Sequence, residues 1–414
     1  MNLSSFEDGF LRVAPGLRLA MVSAGLLTFA SNAFALWDDQ LELFVSETVA
    51  TDSNVFRISK DQDPNTFLGS SRKDDTYTST VVGFNVNVPV SRQRFQAGTS
   101  WNQVRYNRFS DLNYLGRDSR LLWLWQAGDQ LSGQLGYTET TALASFSNFQ
   151  GRIADPLKTQ RAYGNAAYLL NPSWQVQIGL AGQTQRNGNA LRQENDVDLR
   201  TADVAVSYIS SASNKLGIGF RQDDARYPHQ QLLGGLLYDN RYTQRGLGVF
   251  TDWAVSAKSH LNARVDRVRR SYDQLSQRDY SGTTYNATYD WAATERLALA
   301  VMAQRDISSA EDIQTSFVLV NGVSLRPSYE LSSKIKLSAV ADYSTREYLG
   351  DPGLPSGITA GRVDHVRTAK GMISYQALRS LTLQLSAQHE SRTSNVPLSD
   401  YKANVLSINA RLGF

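Results

Sequence analysis

The chain has no cysteine, and it has only four histidines and four methionines among its 414 residues. Without a thiol it forms no disulfide bond and no zinc-thiolate site, and it offers neither a cysteine nucleophile nor an attachment point for a lipid anchor. The histidines, His229, His260, His365 and His389, show no spacing typical of a metal site. We therefore expect no bound metal and no cofactor.

Long apolar runs are also lacking. The run Leu19–Ala30 holds about a dozen residues, whereas a transmembrane helix needs roughly 20. Arginines precede this run, and an A-x-A pattern ending at Ala35 follows it, which is typical of a secretory signal peptide. We predict that residues 1–35 are a leader cleaved before Leu36.

No domain boundary is visible in the remaining sequence, which shows no Pro/Ser linker and no charge block. Net charge is +3 and aromatic residues make up 10% of the chain, while mean hydropathy is −0.36. A membrane β-barrel has such a composition because only one face of each strand meets lipid, although a secreted all-β protein would share it. We predict a single barrel domain over residues 36–414.

Short turn signals recur about every 41 residues along this domain, and longer polar stretches alternate with them. The turns are placed at Pro89–Gln93, Ala127–Gln130, Asn171–Trp174, Ser211–Asn214, Ala257–His260, Ala292–Glu295, Leu331–Lys334 and Ala377–Ser380. A β-propeller of four-stranded blades has a similar period, but each period here holds only two long strands, and the G-H…W-D marks are missing. We predict an all-β fold: a transmembrane antiparallel barrel of about 18 strands with short periplasmic turns and longer extracellular loops.

The last segment, Leu406–Phe414, alternates strictly between apolar residues and polar or small ones, as a strand between lipid and water does. An unpaired strand edge in hydrocarbon costs several kcal/mol for each free backbone group, so the first strand must pair with this last one. Phe414 would then lie at the periplasmic rim. A terminal aromatic residue there also resembles the signal that the outer-membrane insertion machinery reads.

The inward-facing positions are rich in Ser, Thr, Asn, Gln and Gly, with charges of both signs, so we expect a water-filled lumen. The predicted pore-lining charges are Lys215, Arg221, Asp223, Arg264, Asp266, Asp290, Lys336, Asp342, Arg346, Lys370 and Arg411. Their modest basic excess suits polar, neutral or anionic solutes, although such charges could also simply pair with one another. The first strand begins near Gln40, which leaves no room for an N-terminal plug. The first loop, Asp52–Thr76, could fold inward as a gate or lie outside as a cap.

An enzymatic reading rests on His389 and Ser391, which lie two residues apart with His389 on the predicted lipid-facing side, as in an outer-membrane phospholipase. Such pairs arise easily by chance, and the sequence shows no third group that would orient the histidine. We therefore expect no enzyme.

Two segments resemble a known family. The region Ala35–Ser59 is similar to the start of the EpsL outer-membrane proteins, which are β-barrels found with exosortase-B and exopolysaccharide gene clusters. Asp52–Arg57, "DSNVFR", resembles the D-x-N-[VI]-[FY]-R element that ends their first strand, and the terminal "INARLGF" continues the likeness. The resemblance implies export of a capsular polysaccharide or exopolysaccharide, with a periplasmic polysaccharide export protein docked under the barrel.

The sequence therefore predicts a protein of the Gram-negative outer membrane, in contact with lipid and lipopolysaccharide and not with nucleic acid. Polysaccharide export is the first functional hypothesis, and a general or sugar-selective diffusion porin is the alternative. An adhesin acting through the loops is a further reading. Whether the barrel is a monomer or a trimer is left open.

Overall fold

Paired antiparallel strands form almost all of the regular structure. The computed structural model describes residues 40–147, 149, 151–233, 236–309, 317–349 and 361–414. The predicted leader, 1–35, lies outside these residues. Within them, no helix is both long enough and apolar enough to cross a bilayer.

Eighteen strands form one sheet, and a two-stranded hairpin (β10, β11) stands apart from it. The strands are β1 (Leu41–Asp52), β2 (Asp75–Val90), β3 (Gln93–Tyr106), β4 (Tyr114–Ala127), β5 (Leu131–Leu143), β6 (Pro156–Asn171), β7 (Trp174–Asn187), β8 (Val197–Ile209), β9 (Lys215–Arg226), β10 (Gln231–Leu233), β11 (Leu236–Tyr238), β12 (Tyr242–Ser256), β13 (Ser259–Tyr272), β14 (Tyr280–Ala292), β15 (Leu297–Ser309), β16 (Phe317–Glu330), β17 (Ile335–Leu349), β18 (Val363–Gln376), β19 (Leu381–Ser394) and β20 (Tyr401–Gly413). The helical segments in the described residues are short: α1 (Pro64–Leu68) and the 3-10 turns Ser110–Leu112, Ala190–Asn195 and Ser276–Arg278.

The sheet closes on itself. Each barrel strand pairs with its neighbour in the chain, β9 pairs with β12, and β1 pairs with β20 from Phe44 opposite Gly413 to Asp52 opposite Val405. The backbone of Phe414 exchanges two hydrogen bonds with that of Leu43, at 2.8 and 3.1 Å. The predicted closed barrel of 18 antiparallel strands is therefore confirmed.

Alternation gives the barrel an apolar outer band. Leu180 on β7, Ile218 on β9, Leu247 on β12 and Ile408 on β20 are all exposed by more than half of their surface, which a water-soluble surface would rarely tolerate. Aromatic pairs lie beside the short turns, where Phe95 stacks on Trp123 with ring centroids 5.7 Å apart. This band with its aromatic border is typical of a barrel that spans the outer membrane.

Candidate functional site: the lumen and its mouth

Each strand presents a polar face opposite the apolar band. On β9, for example, Leu216, Ile218 and Phe220 are exposed on the outer side, while Lys215 and Arg221 occupy the alternate positions. All eleven predicted lining residues occupy positions of this polar face: Lys215, Arg221 and Asp223 on β9, Arg264 and Asp266 on β13, Asp290 on β14, Lys336, Asp342 and Arg346 on β17, Lys370 on β18 and Arg411 on β20. Their role toward a solute stays a prediction.

Four of the eleven converge on one recess of the wall, of about 240 Å³. Arg264 forms a two-pronged ion pair with Asp266, at 2.7 and 2.8 Å, and Arg221 pairs with Asp223 at 3.0 Å. Each pair joins residues two apart on one strand, which alternation places side by side on one face. The sequence predicted these residue types on this face, but it gave no sign that β9 and β13 share a recess.

Charged Arg305 and Asp306 also line the recess, and so do polar residues that the sequence did not single out: Gln244, Thr284, Asn286 and Gln304. These four residues occupy inward-facing positions of the two-residue alternation, as the charged residues do, and this alternation in the sequence could have identified them. The paired charges nearly cancel, so the recess offers amide, hydroxyl, guanidinium and carboxylate groups without a strong field of either sign.

One glycine makes room for the ion pair between Arg264 and Asp266. Gly248 lies directly opposite Asp266 in the β12–β13 pairing. A Cβ atom built on Gly248 would collide with Oδ1 of Asp266 and with the backbone oxygen of Val265. The absence of a side chain at this position therefore lets Asp266 lie along the wall and bind Arg264.

The other predicted residues lie apart from the recess. Lys215 approaches Gln175 at 3.4 Å near the end of the barrel that carries the short turns. Arg411 binds Glu42 at 2.7 Å and lies over the ring of Phe44. Asp290, Lys336, Asp342, Arg346 and Lys370 are spread over three strands, and the structure does not bring them to the recess.

At the opposite end, the first four long loops pack into one unit, here called the loop body: residues 53–74, 107–113, 188–196 and the described part of 144–155. Its core is Phe56, which has no exposed surface and packs edge-on against Phe109 and Phe146, with centroids 4.8 and 4.9 Å away. The core also contains Val55, Ile58, Leu68 and Leu112. The first loop is thus part of a packed structure.

Ion pairs join the loops to one another. Arg152 in the third loop binds Asp111 in the second at 2.6 Å, and it donates a hydrogen bond to the backbone oxygen of Leu68 in the first at 2.9 Å. Its guanidinium holds the pKa of Asp111 below the ordinary value of 3.8. Buried Asp155 binds Arg192 of the fourth loop at 2.9 Å.

The loop body reaches across the barrel mouth. Buried Arg392 on β19 donates a hydrogen bond of 2.7 Å to the backbone oxygen of Ser147 in the third loop, which follows β5. The strands β4, β3, β2, β1 and β20 lie between these two points on the wall. The third loop therefore spans about a third of the circumference and narrows the mouth on that side.

A hairpin narrows the mouth from another side. Pairing between β14 and β15 ends at Tyr285 opposite Arg305, although both strands continue beyond these residues. Past that point Ile307 on β15 and Leu319 on β16 are buried against Val268 and the lumen-facing Tyr280. The upper part of the β15–β16 hairpin thus leans inward and places apolar side chains there, whereas the sequence predicted inward positions rich in small polar residues.

The motif that carries the family resemblance acts as a latch in this structure. Asp52 accepts hydrogen bonds from the backbone of Asn54 and from Arg57, both at 2.8 Å. Asn54, which is almost wholly buried, donates to the backbone oxygen of Lys402 on β20 at 3.0 Å. These contacts fasten the loop body to the β1–β20 seam.

The possible catalytic pair is only partly assembled. His389 and Ser391 lie on β19, and Nδ1 of His389 is 2.7 Å from Oδ1 of Asn404 on β20. Asn404 is thus the orienting group that the sequence failed to show. Among the described residues, however, the Ser391 hydroxyl forms no hydrogen bond with the imidazole, and a working nucleophile needs that bond. Nor do the described residues hold a cluster of three or more potential metal ligands.

The chain is similar to several known proteins. The model of the family described as "Putative beta-barrel porin 2" matches residues 252–414. No curated protein matches the chain. Among solved structures, the outer membrane protein OpdK of Pseudomonas aeruginosa is 10% identical, with 91% of this chain and 100% of that chain covered and a TM-score of 0.46.

A BenF-like porin of Pseudomonas fluorescens Pf-5 is 9% identical over 91% of this chain and 100% of its own, with a TM-score of 0.47. The siderophore receptor PirA of Pseudomonas aeruginosa is 10% identical over 91% of this chain and 81% of its own, with a TM-score of 0.41. The closed wall, the apolar band and the polar lumen make this chain a porin-like β-barrel of the Gram-negative outer membrane.

Proposed function

We propose that the barrel is a diffusion channel for small polar solutes, with sugars and other polyhydroxyl compounds as the favoured class. The observation that carries this proposal is the charge-balanced recess in the lumen wall around Arg221, Asp223, Arg264 and Asp266. Selective pores need contacts that are favourable enough to admit a solute and weak enough to release it. Guanidinium groups already paired with carboxylates provide such contacts.

Two features define the solute class. The loop body and the leaning β15–β16 hairpin narrow the mouth, so size is limited there. In the recess, donors and acceptors lie close together on the wall, a pattern that matches hydroxyl groups, which donate and accept at the same time. A single-sign field would instead favour ions of one charge.

The experiment is a liposome-swelling assay with sugars of increasing size, together with reversal potentials in planar bilayers. The variant Arg221→Gln/Arg264→Gln removes both guanidinium groups of the recess. The variant Lys336→Gln/Lys370→Gln removes the same charge from β17 and β18, away from the recess, and serves as the matched control.

We expect the recess variant to shift selectivity toward cations and to alter the permeation of small sugars more than the control does. If the two variants have equal effects, the recess does not determine selectivity. If the wild-type barrel causes no swelling, the protein is not a diffusion channel for these sugars.

Polysaccharide export is the second hypothesis, and it rests on the family resemblance at Asp52–Arg57. The latch contacts described above give that motif a structural explanation in this chain, so the motif does not by itself indicate contact with a polymer. Export would further need a periplasmic partner at the short turns, which carry Arg92, Lys258, Lys334 and Arg379. Deleting the gene and measuring secreted polymer decides this hypothesis, because unchanged secretion contradicts it.

A further inference from the structure

We propose that Arg245, Arg267 and Arg269 form a binding site on the outside of the barrel for the phosphate groups of an outer-leaflet lipid headgroup, that of phosphorylated lipid A in lipopolysaccharide. This site lies on the lipid side of the wall and is separate from the lumen recess. It is independent of what the channel transports.

The three arginines lie high on the wall, near the extracellular border of the apolar band. On β12 the outward positions from Val255 through Trp253 and Val249 to Leu247 are exposed and mainly apolar, and Arg245 is the next outward position. The ten residue steps from Val255 to Arg245, at about 3.3 Å each along a strand tilted by about 40°, rise about 25 Å. That is about the height of the apolar band of outer-membrane barrels, so Arg245 lies at its extracellular border.

The neighbouring strand shows the same transition. On β13 the outward residues Leu261, Ala263 and Val265 are followed by Arg267 and Arg269. Around the barrel, positions of this border carry more basic than acidic side chains. The basic ones are Arg105, Arg117, Lys158, Arg186, Arg200, Arg226, Arg245, Arg267, Arg269, Arg305, Arg367 and Lys402, and the acidic ones are Glu139, Asp198, Asp224 and Glu347.

Part of the border charge is compensated within the protein. Between β8 and β9, Arg200 lies opposite Asp224 and Arg226 lies opposite Asp198. Arg117 is 3.4 Å from Glu139, which also binds Lys158 at 3.6 Å. Opposite charges paired across strands stabilise a sheet, so these sites need no further ligand.

The β12–β13 pair breaks this pattern. Arg245 lies directly opposite Arg269, and Arg267 is diagonal to Arg245 on the same face. All three side chains are exposed. Arg245 donates to Oε1 of Gln222 at 3.1 Å and Arg267 to Ser281 at 3.3 Å. Within the described part of the chain none of the three forms an ion pair with a carboxylate.

The nearest carboxylate on the adjoining strand is already engaged. Asp224 accepts hydrogen bonds from Gln222 at 3.0 Å and from Thr243 at 2.8 Å, and its strand partner is Arg200. Like charges placed directly opposite each other destabilise a sheet. Asp224 is also close enough to Arg245 and Arg226 to interact with both by charge. One carboxylate is thus shared among several arginines, which leaves a net positive charge around Arg245 and Arg269 at the level where lipid phosphates lie.

Phosphate fits this site because planar guanidinium groups bind its oxygens in a two-pronged manner. Lipid A suits the site better than a free ion, since its acyl chains would lie along the apolar band just beneath the arginines. Each basic residue near a membrane surface contributes about 1 kcal/mol of attraction to anionic lipid, so loss of all three should weaken binding by roughly a hundredfold.

The test measures binding of bis-phosphorylated lipid A to the refolded full-length barrel in nonionic detergent, by native mass spectrometry. The variant Arg245→Gln/Arg267→Gln/Arg269→Gln should lose roughly a hundredfold in affinity. The same three positions changed to Lys should keep most of it. The matched control is Arg94→Gln/Arg120→Gln/Arg161→Gln, which removes three charges from the lumen face and should change affinity less than about twofold.

A second measurement separates ligand binding from general stability. Without lipid A, Arg269→Gln should leave the thermal stability of the barrel unchanged or raise it, because it removes the like-charge contact. With lipid A, the wild type should gain more in Tm than the variant. Equal Tm gains in the two proteins would overturn the proposal.

Three further outcomes would also overturn it. One is wild-type affinity in the triple Gln variant, and another is an equal loss in the lumen control. The third is displacement of lipid A by excess inorganic phosphate, which would indicate a site for the free ion. Binding of fully dephosphorylated lipid A with unchanged affinity would equally exclude the phosphate groups as the recognised feature.

Discussion

The packing of Phe56 at the centre of the loop body offers a direct test of what narrows the channel mouth. The change is Phe56→Ala. Phe56 is wholly buried between Phe109 and Phe146, and replacing a buried phenylalanine with alanine costs about 3–5 kcal/mol. Because this core largely holds the loops to one another, the substitution should destabilise the loop body and not the hydrogen-bonded barrel wall.

A loss of about 3–5 kcal/mol shifts the balance between the packed and the detached loop body by roughly a hundredfold or more. Single-channel conductance should therefore rise, and sugars excluded by the wild-type barrel should enter liposomes. Limited proteolysis should show faster cleavage within residues 53–74. The barrel itself should stay resistant to unfolding in detergent.

The matched control is Phe220→Ala, which makes the same change on the lipid-facing side of β9. It should leave conductance and size exclusion unchanged. The refuting result is specific: if proteolysis shows that Phe56→Ala has loosened the loop body while conductance and size exclusion stay at wild-type values, the loop body does not limit passage.

Three further predictions concern other parts of the chain. The Arg152 guanidinium lowers the pKa of Asp111, so their ion pair stabilises the loop body fully above the ordinary carboxyl pKa of 3.8. The ion pair is lost as the pH falls through the lower pKa of the folded protein, and single-channel conductance should therefore rise only below about pH 4. A rise confined to neutral pH would contradict this. Purified barrel should release no more fatty acid from phospholipid than its Ser391→Ala variant, because His389 does not engage Ser391; activity that depends on Ser391 would establish a hydrolase. Deleting Phe414, whose backbone closes the β1–β20 seam, should reduce insertion into the outer membrane, measured as the folded fraction in membrane preparations, and normal insertion would remove its role as a signal.

The barrel wall could be predicted because each strand and each turn is determined by residues that lie close together in the sequence. A period of two residues fixes which side chains face lipid, and turn residues mark where each hairpin ends, so strand number and closure followed from short stretches such as Leu406–Phe414. The same two-residue period predicts that Arg221 and Arg264 face the lumen.

Features that depend on contacts between distant segments could not be predicted. Phe56, Phe109 and Phe146 lie in three different loops, and no periodicity links them, so the core that they share leaves no trace in the sequence. Asn404 escaped notice as the partner of His389 because their contact depends on the register of β19 against β20. The convergence of β9 and β13 on one recess also depends on register, and the ion pair between Arg264 and Asp266 depends on the open position at Gly248.

The contacts between the first loop and the last strand have a consequence for assembly. Asn54 and Lys402 are 348 residues apart in the chain, and Ser53 and Asn404 also bind each other across the same junction. Bringing such distant segments together is the slowest kind of step in folding, because the loop that it closes is the longest. The entrance therefore acquires its final aperture only when synthesis and insertion of the C-terminal hairpin are complete, so a barrel stalled before that point would leak more than the finished one.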